Sequence, residues 1–102
     1  MPDIHARTTI NTIITVDFET VGIDKRPAYP PAPVGVSIKV GAQASKYYGF
    51  GHPTGNNCEI GEPRGILLSY AAQGLEFLFQ NGKFDVDVGQ TFGFFPADIP
   101  WY

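Results

Sequence analysis

The stretch Thr12-Ile-Ile-Thr-Val-Asp-Phe-Glu-Thr20 constrains this chain more than any other. Its β-branched residues predict a strand over about Thr12 to Phe18. Side chains alternate between the two faces of a strand, so Asp17 and Glu19 project together while Phe18 points the other way. Two carboxylates held side by side repel one another unless a cation lies between them. Hard oxygen ligands of this kind suit Mg²⁺ or Mn²⁺. The plainer alternative is a strand running out into a solvated acidic turn, and a bare Asp-x-Glu usually means no more than that.

The rest of the chain supplies partners for such a strand. Glu19 to Pro33 is a long connection, whose segment Arg26-Pro-Ala-Tyr-Pro-Pro-Ala-Pro33 reads as extended and stiff. Val34, Val36, Ile38 and Val40 alternate with Gly35, Ser37 and Lys39, which predicts a second strand with one apolar face. A turn at Gly41-Ala-Gln-Ala44 leads into a third strand over Ser45 to Phe50. The loop Gly51-His-Pro-Thr-Gly-Asn-Asn-Cys58 is rich in turn formers. His52 and Cys58 within it are two possible zinc ligands without a second pair, and read as structural. From Pro63 to about Gln73 the spacing becomes helical, with Ile66, Leu67, Tyr70 and Ala71 on one face and Gly74 placed to end it. Leu75-Glu-Phe-Leu-Phe79 then reads as a strand buried on both sides. Three antiparallel strands, a crossover helix and a further strand make a mixed α/β order.

Composition bounds what such a fold can do. With 102 residues and 43% hydrophobic content, the chain is one domain with a modest core. A net charge of −3 argues against a broad basic face that grips nucleic acid through phosphates alone. It leaves room for an enzyme whose bound cations supply positive charge. Cys58 is the single cysteine, which excludes an internal disulfide and suits a reducing interior. No apolar run approaches the roughly 20 residues of a membrane span, so the expected setting is cytoplasmic, without a membrane partner. Residues 1–11 are mostly polar and read as a loosely ordered leader.

The stretch Phe79-Gln-Asn-Gly-Lys-Phe-Asp-Val-Asp-Val88 supports two readings. Asn81-Gly82 between alternating apolar residues is a strong β-hairpin signal, and would put Asp85 and Asp87 on a solvated face. Alternatively Asn81 is an N-cap and Lys83 to about Phe92 a helix, with Asn81, Asp85, Val88 and Phe92 on one face. That helix would carry Asp85 towards Asp17 and Glu19. Local propensity favours the hairpin.

Asp17-Phe-Glu-Thr20 followed, after some 60 residues, by Asn81-Gly-Lys-Phe-Asp85 resembles the first two motifs of DnaQ-like 3′–5′ exonucleases. The likeness is greatest to the proofreading domain of family A, phage-type DNA polymerases, and spans residues 12–102. It implies a ribonuclease H-like fold, with three antiparallel strands followed by a helix and a parallel strand, and it implies the helix reading for Asp85. Gln80 stands where many relatives carry His. Relatives carry a third motif, Tyr-x-x-x-Asp or His-x-x-x-x-Asp on a later helix, which this chain stops at Tyr102 before reaching. The aromatic stretch Phe92 to Tyr102 also makes an unusual surface, so the chain reads as a domain incomplete at its C-terminus.

The resemblance implies hydrolysis of phosphodiester bonds at single-stranded DNA 3′ ends by two divalent ions, Mg²⁺ or Mn²⁺, about 4 Å apart. Asp17 would bridge both ions, Glu19 would bind the one that activates water, and Asp85 would hold the other. Thr20 and Asn81 match positions that contact the 3′-terminal nucleotide, Ile23 an apolar wedge, and Phe84 a residue beside that nucleotide. Ordinary core packing is an equal reading for Ile23 and Phe84, and Asp87 reads as a surface residue. The implied partner is a polymerase domain or the remaining half of the exonuclease domain, in a bacterial or phage-infected cell. Two other readings stay open: a non-catalytic module that packs against a polymerase, and a ribonuclease D-like enzyme acting on RNA.

Overall fold

A computed structural model describes residues 12–20, 30–97 and 99. The expected leader and Ile23 lie outside the described residues. Four strands, β1 (Ile13–Thr20), β2 (Pro33–Val40), β3 (Lys46–Gly49) and β4 (Glu76–Phe79), form one sheet in the order β3-β2-β1-β4. The chain is therefore α/β with a mixed sheet: β1 pairs antiparallel with β2 and parallel with β4. Helix α1 (Gly61–Ala72) makes the crossover from β3 to β4, and helix α2 (Gly82–Thr91) follows β4. None of the described helices is long and apolar enough to cross a membrane.

The period-two pattern of β1 sets which face is covered. Ile14, Val16 and Phe18 are buried, and their registered neighbours Phe77, Phe79, Ile38 and Val36 are buried with them. Leu67 of α1, Val86 and Val88 of α2, and Phe94, Phe95 and Ile99 beyond α2 complete this layer. Phe18 meets Phe94 edge-on at 5.0 Å, and Phe95 stands edge-on to both Phe77 and Phe79. Gly89 lets the Phe95 ring lie against α2, because a Cβ there would strike it. The opposite face of the sheet stays open, with Ile13, Tyr47 and Leu78 exposed on it.

One expectation changes, and one open choice closes. The fourth strand is covered on one side only: Phe77 and Phe79 point into the core, whereas Leu78 is 45% exposed. The polar Glu76 already broke the apolar run and marked the outward side. The helix that the resemblance implied over Lys83 to about Phe92 is present at Gly82–Thr91, against the local hairpin signal at Asn81-Gly82. Its stabilisation is tertiary, through burial of Val86, Val88 and Gly89, and local, through the Lys83–Asp87 pair at 2.8 Å one turn apart. Helix α1 begins at Gly61, with Pro63 in its first turn, and gives way to Gly74 at φ 77°.

Candidate functional site

Antiparallel register places Asp17 opposite Ser37 and Glu19 opposite Gly35, on the open face of the sheet. Both acidic residues are exposed. Asp17 accepts no hydrogen bond from the described residues, whereas Glu19 is held by a longer arrangement. The Tyr47 hydroxyl lies 2.8 Å from Glu19 Oε1 and 2.6 Å from His52 Nε2. A carboxylate only accepts, and a phenol has a single hydrogen to give. Tyr47 therefore donates to Glu19, and His52 donates through Nε2–H to the Tyr47 oxygen. All the hydrogens of this chain point towards Glu19.

Glycine makes that reach possible. Tyr47 stands opposite Ser37, and its ring leans across Gly35 to meet Glu19; a Cβ on Gly35 would collide with the phenol. The loop after β3 is pinned to present His52. Asn57 accepts from the Gly49 N–H and donates to the Tyr47 carbonyl, while Asn56 accepts from the His52 N–H and donates to the His52 carbonyl. Tyr47 and His52 are thus part of the site, in roles that the sequence reading did not give them. The available signal was a pair of strand glycines, Gly35 and Gly49, in register with Glu19. Burial, then the Glu19 hydrogen bond and charge, push the Tyr47 phenol up to about 12.

Asp85 reaches the same strand end from the other side. Strand β4 pairs with β1 only from Ile13 to Val16, which leaves the outer edge of β1 uncovered beyond that point. Asp85 fills the gap. Its Oδ1 accepts from the Phe18 N–H at 3.1 Å, and its Oδ2 accepts from the Asn81 N–H at 2.8 Å. One fully buried carboxylate therefore closes the first turn of α2 and ties it to β1 between Asp17 and Glu19. Asn81 stands at the N-cap position, but its side chain makes no capping bond. Burial raises the Asp85 carboxyl above its ordinary value of 3.8, the two amides oppose that shift, and the nearby Asp17 charge adds to it.

The remaining expected residues are dispersed. Thr20 is half-buried at the end of β1, Asn81 is exposed at the start of α2, and Phe84 is partly buried against the core. Asp87 pairs with Lys83 on the outer surface. His52 and Cys58 each have another contact: His52 Nε2 lies against the Tyr47 hydroxyl, and the Cys58 thiol lies 3.7 Å from the Gly49 carbonyl. Among the described residues, no three His, Cys, Asp or Glu side chains gather closely enough to hold a metal ion together. Asp17 and Glu19 are nonetheless adjacent hard-oxygen donors on one exposed face, and that pair suits a hard divalent cation. Asp85 has both oxygens committed to backbone amides.

Beside Asp17 the open face dips into a depression of about 270 Å³, lined by Thr15, Asp17, Ser37, Lys39, Ser45 and Gln80. No family model, no curated protein and no solved structure matches the chain.

Proposed function

We propose that the chain is a metal-dependent nuclease module of ribonuclease H-like fold that hydrolyses phosphodiester bonds at DNA 3′ ends. The observation that carries this reading is the convergence of acids at one strand end. Asp85, 67 residues from Phe18 in sequence, bonds the amide lying between Asp17 and Glu19. The sheet order β3-β2-β1-β4, with a helix leaving β4, is also compatible with that fold.

Asp17 and Glu19 would hold the divalent ion. When bound, such an ion supplies hydroxide near neutral pH and offsets charge on the phosphate. The chain's own contribution is preorganisation. Tyr47 fixes one oxygen of Glu19, and His52 fixes the rotation of the Tyr47 hydroxyl. Asp85 holds the acidic end of β1 against α2, so the two outward carboxylates keep their spacing. Asn81 and Thr20, at the two element ends tied together by Asp85, are the residues we assign to the terminal nucleotide. Phe84, already packed against the core, would offer at most its outer edge.

The test is a Mn²⁺ titration of the intact chain, followed by paramagnetic broadening of the β1 amides. Wild type should bind, and the Asp17→Ala, Glu19→Ala double variant should bind about tenfold more weakly or worse. Equal affinity in the two proteins would remove the metal site and the nuclease reading with it. The burial of Asp85, with each oxygen already accepting one backbone amide, favours a second reading, a non-catalytic module that retains this acid for structure. That reading predicts no Mn²⁺ binding in either protein and no release of mononucleotides from single-stranded DNA.

A further inference from the structure

The depression beside Asp17 has a composition that the metal-holding pair does not explain. Thr15 and Lys39 face one another across β1 and β2, and Asp17 faces Ser37 one step along. Ser45 approaches from the turn before β3, and Gln80 from the end of β4. Three hydroxyls, an ammonium and a carboxamide therefore converge on one hollow. None of these five side chains makes a hydrogen bond or ion pair with another described residue. Convergent donors without partners in the fold are what an oxyanion requires, and Lys39 supplies a point charge for it.

Size narrows the occupant. At about 270 Å³ the hollow lies just below the usual range of small-ligand sites, which suits one phosphate with part of its sugar. The carboxylate of Asp17, also part of the lining, weakens the hold on a bare anion at close range. It accepts a ligand that brings a hydroxyl or a cation to that side.

We propose that this hollow is a phosphate subsite that seats the phosphate group of a nucleotide on Lys39, Ser37, Ser45 and Thr15, next to Asp17. The choice of a nucleotide rests on the nuclease reading above; the oxyanion chemistry stands on the hollow alone. Lys39 is exposed at the end of β2, so its replacement leaves the core untouched.

The experiment titrates the chain with thymidine 5′-monophosphate, thymidine and inorganic phosphate, and follows backbone amide shifts. The monophosphate should move the amides of Thr15, Lys39 and Gln80, and thymidine should leave them in place. Lys39→Gln should weaken monophosphate binding by about tenfold, equivalent to roughly 1.4 kcal/mol, without changing Mn²⁺ affinity. Ser37→Ala with Ser45→Ala should weaken it further. Unchanged binding in Lys39→Gln, or thymidine binding as well as its monophosphate, would overturn the subsite. If that happens while Mn²⁺ binding still depends on Asp17 and Glu19, the subsite alone has failed. Binding of inorganic phosphate through Lys39 by a chain that ignores Mn²⁺ would keep the oxyanion site and discard the nuclease reading.

Discussion

Asp85 and Glu19 flank the same strand end, yet their surroundings treat a carboxylate in opposite ways. Asp85 is fully buried, and each of its oxygens takes one backbone amide. Glu19 stands on the open face and takes a hydrogen bond from a side chain that itself leans on another side chain. The first arrangement ties two secondary-structure elements together, so its loss is felt by the whole fold. The second fixes the direction of one exposed group, so its loss is felt only by whatever that group binds. Two acids in close proximity can therefore be assigned different work from their partners alone, before any ligand is considered.

Removing each acid in turn is the sharpest way to break that contrast. Asp85→Ala strands the buried Phe18 amide and opens the first turn of α2, and should cost about 2–4 kcal/mol in chemical denaturation. A loss comparable to that of Glu19→Ala would erase the distinction. A smaller effect is expected from pH. Because burial raises the folded-state value of Asp85, the native chain holds its proton more tightly than the unfolded chain does. Its contribution is then fully present below the ordinary value of 3.8 and is lost as pH rises through the raised folded value. Asp85→Asn should remove that falling segment from a plot of unfolding free energy against pH. The smallest effect concerns the open face. Glu19→Gln should bring the Tyr47 phenol down from about 12 part of the way towards 10, because burial, the leading cause, remains. Tyrosinate absorbance read against a Tyr47→Phe control measures it, and stability should hardly change.

Much of the covered side of the sheet was legible in the residues. Alternation named Val34, Val36, Ile38 and Val40 as the apolar face of β2 and set Phe18 opposite Asp17 and Glu19; all are buried except Val40, which is partly buried at the strand end. Helical spacing and Gly74 bracketed α1 to within two residues. The helix over residues 82–91 was expected from the resemblance but not from local propensity, because the decisive forces are remote. The amide that Asp85 accepts belongs to Phe18, and the surface that Val86 and Val88 cover comes from β1 and β4. No local propensity contains that information. The Glu19–Tyr47–His52 chain was hidden for another reason. It depends on β3 lying two strands away in correct register, and on a glycine that lets an aromatic ring cross it.

The alternation along β1 has one more result. Sliding this strand by a single residue against β2 would drive Asp17 and Glu19 into the aromatic layer and turn Phe18 out into water. Both moves are costly, so a one-residue slip does not compete with the observed pairing. The two acids act as a ratchet tooth for the folding chain: they bar every slip that would exchange the two faces of the central strand.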